Sequence, residues 1–113
     1  MRLPGADRAV VDAAKVRDYL LSPEHPVGRA KARFFAGLGF TRAAWADLQE
    51  ALAAAARDGD VVPGAATAFG QKYVVRGTIR GPAGREAAVV TVWIVLAHED
   101  FPRLVTAYPG AVV

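Results

Sequence analysis

Apolar residues recur every three or four positions over the first half of the chain. Over the second half they fall into alternating or unbroken β-branched runs, a change of period that predicts helices followed by strands. Asp12 stands where an N-cap would start a helix over 13–21, with Val16, Tyr19 and Leu20 on one face, and Ser22-Pro23 ends it. Pro26 suits a first helical position, so a second helix is expected over 26–38 with Gly39 as its stop. Thr41 is read as the cap of a third helix, over 42–58. Its Trp45, Leu48, Leu52 and Ala56 form a stripe opposite Asp47, Glu50, Arg57 and Asp58, and Gly59 terminates it. Beyond Val61, Gly/Pro punctuation and β-branched residues predict a brief strand at 61–62, a loop over 63–67, and strands near 71–80, 86–97 and 102–108. Gly81-Pro82-Ala83-Gly84 fits a hairpin turn, so the first two long strands are expected to be antiparallel. The nearly continuous apolar run over 87–96 reads as a central strand covered on both sides. The expected fold class is α+β in one domain over 1–113, helical to about 59 and an antiparallel sheet from 60. Its helices pack on one sheet face and leave the other available.

Composition narrows the chemistry. With no cysteine, disulfides, thiolate nucleophiles and cysteine-bound zinc or iron–sulfur centres are excluded. The only serine, Ser22, sits in a Ser-Pro turn without a nucleophile-elbow motif. No His/Asp/Glu spacing forms a metal cage, and neither Gly37-Leu38-Gly39 nor the Gly81–Gly84 turn matches a phosphate-cradling loop, so no metal and no cofactor is expected. The apolar runs stay below the ~18 residues of a membrane span, and the amino terminus has no secretion-signal pattern. The expectation is a cytoplasmic address with no membrane partner. A net charge of +3 permits a polyanionic partner without requiring one.

Lys31 breaks the apolar arc of the second helix, falling among Val27, Phe34, Phe35 and Leu38, while Arg29 and Arg33 already supply the opposite face with charge. It is either a functional ammonium or a lysine snorkelling from a boundary position. His25 lies just ahead of this helix, close enough in sequence to share one mouth with Lys31. It is read as a proton-transfer residue or, alternatively, as a helix cap. In the strand at 71–80, Lys72, Arg76 and Arg80 recur on one face about 13 Å apart, suited to tracking a polyanion backbone or to protecting an edge strand. Near the end, Leu104, Thr106 and Tyr108 share a face, and Arg103 points away unless twist or a bulge redirects it. Thr106 and Tyr108 can donate to a phosphate, and Tyr108 can stack a base. RNA cleavage through the ribose 2′-hydroxyl needs only a base, an acid and cations around the phosphate, all of which this inventory can supply.

Three stretches carry a family likeness: Asp12-Ala13-Ala14-Lys15-Val16-Arg17-Asp18-Tyr19-Leu20-Leu21, His25-Pro26-Val27-Gly28-Arg29-Ala30-Lys31-Ala32-Arg33-Phe34-Phe35, and Arg103-Leu104-Val105-Thr106-Ala107-Tyr108-Pro109. Together with Phe69-Gly70-Gln71-Lys72-Tyr73 and the Gly81–Gly84 turn, the set resembles a small prokaryotic standalone domain of unknown function over almost the whole chain. Helices followed by an antiparallel sheet with a terminal Thr-Ala-Tyr-Pro strand also resemble the barnase/EndoU/colicin/RelE-like ribonuclease group of bacterial toxins. That resemblance implies a metal-independent ribonuclease, the toxin of a toxin–antitoxin pair, acting on RNA and bound by a cognate antitoxin protein. It further implies His25 as proton-transfer residue, Lys31 and Arg103 as phosphate-binding cations, Thr106 as orienting the phosphate and Tyr108 the base. Members of that group often place their catalytic histidine differently. Lys72 and Arg76 are expected to join Tyr108 in substrate binding on the free sheet face. The competing expectation is a non-catalytic protein-binding module, such as an antitoxin, immunity or phage-associated accessory protein.

Overall fold

The computed structural model describes residues 1–26 and 28–110, and in it a helical layer lies on one face of a four-stranded antiparallel sheet of order β1-β2-β3-β4. In chain order, a short helix α1 (Ala13–Lys15) runs into a π-helical turn (Val16–Leu20), followed by α2 (Arg29–Gly37) and α3 (Trp45–Asp58). The strands are β1 (Asp60–Thr67), β2 (Gly70–Arg80), β3 (Glu86–Leu96) and β4 (Pro102–Pro109). This is the expected α+β order. Among the described residues no helix is long and apolar enough to cross a membrane.

Helix entries differ from expectation in instructive ways. The Asp12 side chain makes no cap, and the following turn widens so that Leu21 N–H bonds to Val16 C=O at 2.9 Å. That wide turn still drives Val16 and Leu20 fully into the core and leaves Tyr19 half-buried at its rim. Helix α2 begins at Arg29, not Pro26, because the turn before it is closed by His25: Gly28 N–H donates to His25 Nδ1 at 3.0 Å and Arg29 N–H to His25 C=O at 3.0 Å. Gly28 is required there, since a Cβ would sit 2.2 Å from the Tyr19 carbonyl oxygen. Val27, placed above on the arc around Lys31, lies outside the described residues. Thr41 Oγ1 accepts from Ala44 N–H at 3.1 Å, so it closes a turn ahead of α3, which starts at Trp45. The stripe of α3 is as expected, with Leu48, Leu52 and Ala56 buried and Ala55 added to it. Gly39, at φ 95°, stops α2 in a conformation that favours glycine.

Register is continuous from Gly70↔Leu96 to Arg80↔Glu86 across β2 and β3. The loop expected over 63–67 is instead the second half of β1, with the ladder interrupted between Pro63 and Ala66. An edge strand tolerates Pro63, which has no N–H to donate, and Gln71 Nε2 donates to the Gly64 carbonyl across the irregularity at 2.9 Å. β2 is an interior strand, paired on both sides at Arg76 and flanked by the irregular stretch of β1 at Lys72, which removes edge protection as the reason for those two cations. The expectation that β3 is covered on both faces fails as well. Helices pack on the face of Val89, Thr91 and Trp93, while on the other Val90 is buried between its strand neighbours and Val92, Ile94 and Leu96 stay half-exposed.

Trp93, Phe35, Leu20, Leu48 and Leu52 form the centre of the core. A polar pair is embedded in it: Trp93 Nε1 donates to Thr91 Oγ1 at 2.8 Å, and that hydroxyl donates to the Val75 carbonyl at 3.4 Å. Replacing Thr91 by Val keeps the shape but strands the indole N–H in an apolar site. We expect T91V to lower unfolding free energy by about 1–3 kcal/mol in urea titrations, with an unchanged denaturant slope.

Candidate functional site

An irregularity in β4 sets the composition of the open sheet face. Val92 pairs with Thr106 but Trp93 pairs with Leu104, so Val105 is an extra residue, a β-bulge. Directly opposed residues project to the same face. Ile94 faces both Lys72 and Arg103, Val92 faces Val74 and Thr106, and Val90 faces Arg76 and Tyr108. Three rows thus cross the open face: Lys72–Ile94–Arg103, Val74–Val92–Thr106 and Arg76–Val90–Tyr108. Leu104 does not share this face, as alternation alone would require; it enters the core with Ala107, three residues on. The bulge turns Arg103 to the side of Thr106 and Tyr108. A shallow depression of about 280 Å³ is lined by Val74, Arg76, Val90 and Tyr108. A larger groove of about 670 Å³ between α3 and the end of β2 is lined by alanines, Asp58, Asp60 and Arg80, and it shares Arg76 with that depression.

At the outer edge of β4 the helical layer meets this face through Tyr19. The phenol hydrogen-bonds Thr106 Oγ1 at 3.2 Å, joining residues 87 apart in sequence. Lys31 Nζ lies 5.3 Å from the Tyr19 ring centroid and Lys15 Nζ 6.0 Å from it. His25 packs edge-on against the same ring, centroids 4.9 Å apart. Lys15 is fixed by donating to the Val105 carbonyl at 2.9 Å, on the bulge itself. Burial of the ring opposes ionisation of the Tyr19 phenol. Hydrogen bonds from Lys31 and Thr106, with the positive charges of Lys31 and Lys15, outweigh it and hold the phenol below the usual tyrosine range.

Of the residues singled out from sequence, His25, Lys31 and Thr106 meet at Tyr19, and Lys72, Arg76 and Tyr108 lie on the adjoining sheet face. Arg103 is on that face too, but its guanidinium forms a bidentate pair with Glu99, both contacts at 2.8 Å, and stacks 5.1 Å from the Phe101 ring. Tyr19 and Lys15 were not singled out. In sequence Tyr19 is one residue of an apolar face, and the signal for its role is its spacing of four from Lys15, which places both on one side of a helix. Among the described residues no group of three or more acidic or histidine side chains could hold a metal ion.

A family model for a domain of unknown function, DUF6883, matches residues 2–111. The chain belongs to that family. No curated protein matches it. Among solved structures it is similar to a chain of a contact-dependent growth inhibition toxin–immunity protein complex from Klebsiella pneumoniae 342. The TM-score is 0.70 with 19% identity, over 95% of this chain and 97% of that one. At that identity the likeness establishes the fold.

In this DUF6883 chain the Arg103–Glu99 pair separates a charge committed to structure from those gathered at Tyr19. Hydrogen bonding to Arg103 lowers the Glu99 carboxyl below the usual glutamate range, against a smaller opposing effect of burial. The folded-state value being depressed, the stabilisation is complete above the ordinary glutamate range and is lost as pH falls through the depressed value. NMR titration should find Glu99 ionising below a free glutamate. In R103M it should move upward and acid unfolding should begin at higher pH.

Proposed function

We propose that the chain is a metal-independent endoribonuclease that cleaves RNA by attack of a 2′-hydroxyl on the neighbouring phosphodiester, and that it is the toxin of a bacterial toxin–antitoxin or related conflict system. The observation that carries this reading is the gathering of Lys15, Lys31, His25 and Thr106 around Tyr19, beside a solvent-facing sheet that presents Lys72, Arg76 and Tyr108. A phosphodiester in line displacement accumulates negative charge on its equatorial oxygens, and two ammonium groups together with hydroxyl and imidazole donors answer that charge. RNA supplies its own nucleophile, so the reaction needs neither a metal-activated water nor a serine or cysteine.

The roles divide by geometry. Lys31 and Lys15 hold the scissile phosphate, and Thr106 donates to it or to Tyr19. His25, with Nδ1 accepting from Gly28 N–H, lines the phosphate site beside the Tyr19 ring. Arg103, neutralised by Glu99, fixes the start of β4 and does not bind phosphate directly. Tyr108, half-exposed on the open face, offers a stacking platform for the next base, one same-face step of about 7 Å along β4 from Thr106. Lys72 and Arg76 then track the backbone across the sheet.

The similar fold in a toxin–immunity complex supports placing this chain in such a pair, with a cognate antitoxin or immunity protein as partner. A second reading, a non-catalytic partner of another protein, draws on Phe69 (77% exposed) and Val62 (54% exposed), which give the β1–β2 hairpin an apolar surface suited to protein contact. One experiment separates the two. Total RNA incubated with wild-type protein in EDTA should be cut to fragments with 2′,3′-cyclic phosphate and 5′-hydroxyl ends, and K31A should cut about 10²–10³-fold more slowly. Intact RNA with wild type, and no growth arrest on expression, would favour the protein-binding reading.

A further inference from the structure

The cluster contains one group whose position fits removal of the nucleophile's proton. We propose that the Tyr19 phenolate oxygen accepts the proton of the 2′-hydroxyl and that the Lys31 ammonium returns one to the departing 5′-oxygen. This inference rests on the ribonuclease reading above and assigns its acid and base.

Geometry selects Tyr19 over the other candidates. Its oxygen sits where the helical layer meets the open sheet face, oriented by Thr106 Oγ1 at 3.2 Å. Every charged group that acts on the phenol is cationic: Lys15 from α1 and Lys31 from α2. His25, from the turn before α2, meets the ring edge-on. A carboxylate base is not among them. Asp18 is bound to Arg17 and Arg42, and Glu99 to Arg103. His25 is poorly arranged as a base, because Nδ1 already accepts the Gly28 N–H, so protonating it would break the turn that starts α2. The same two ammonium groups that favour ionisation of the phenol also attract the phosphodiester, so base and substrate anchor are assembled by one set of charges.

The step balances without an outside reactant. The 2′-oxygen loses its proton to Tyr19 Oη and forms a bond to phosphorus. The bond from phosphorus to the 5′-oxygen breaks, and that oxygen takes a proton from Lys31 Nζ. A 2′,3′-cyclic phosphate and a 5′-hydroxyl leave the site. The neutral phenol and neutral amine left behind exchange one proton and restore the phenolate–ammonium pair.

The test compares wild type with Y19F and with 3-fluorotyrosine incorporated at position 19, whose phenol is more acidic but nearly the same size. On a short RNA, Y19F should lose about 10²–10⁴-fold in cleavage rate while still binding the uncleavable 2′-O-methyl version of that RNA. The acid limb of the wild-type pH–rate profile should coincide with the phenolate absorbance change that Y19F lacks, and fluorotyrosine should move that limb to lower pH. If wild type cleaves RNA and Y19F keeps the wild-type rate, or fluorotyrosine leaves the limb in place, the assignment of Tyr19 is wrong and the ribonuclease reading stands. If wild type leaves RNA intact, both fall.

Discussion

One extra residue in β4 governs which chemistry the sheet can present. Without the bulge at Val105, strict alternation would place Leu104 beside Thr106 and send Arg103 to the opposite face. With it, Leu104 and Ala107 both fill the core, and Arg103, Thr106 and Tyr108 line up with the cations of β2. The bulge is itself held: Lys15 donates to its carbonyl, and the same lysine flanks Tyr19. Bulges recur beside active sites because they re-aim side chains that the pleat would otherwise fix. Here the bulge brings Arg103 to the face of Thr106, the residue that grips the phenol.

Two kinds of positive charge coexist within a short distance and do different work. Arg103 is matched oxygen for nitrogen by Glu99, and Arg42 and Arg17 share Asp18, so these guanidiniums fix β4 and the helical layer. Lys15 and Lys31 meet a tyrosine ring and carbonyl or hydroxyl oxygens instead of carboxylates, so their charge is not cancelled locally. An arginine's planar fork suits the first task and a lysine's compact ammonium the second.

Much of the fold was legible because its signals are local. The change from helical to β period, Gly39 and Gly59 as helix stops and the Gly81–Gly84 hairpin each act within a few residues, and the three long strands fall within one or two residues of their expected ends. What could not be read depends on partners distant in the chain. Residues 63–67 look like a loop because of Pro63 and Gly64, and become a strand only because β2 offers a register to pair with. The apolar character of β3 measures its place between two strands more than cover on both faces. For the site, Lys31 stood out by interrupting an apolar arc, and Thr106 and Tyr108 by their side chains. Tyr19 hid among apolar neighbours because an aromatic residue on a helix face has the same pattern whether its hydroxyl is idle or held. Its partner lies 87 residues away.

That separation has a consequence for how the molecule comes into being. Val10 lies parallel to the start of β4, accepting from Leu104 N–H and donating to Pro102 C=O, so the segment ahead of α1 is latched to β4. Tyr19 and Lys15 are translated well before Thr106. A nascent chain still missing β4 has two ammonium groups and a phenol but nothing to orient them. The cluster around Tyr19 is therefore complete only once β4 has emerged and docked.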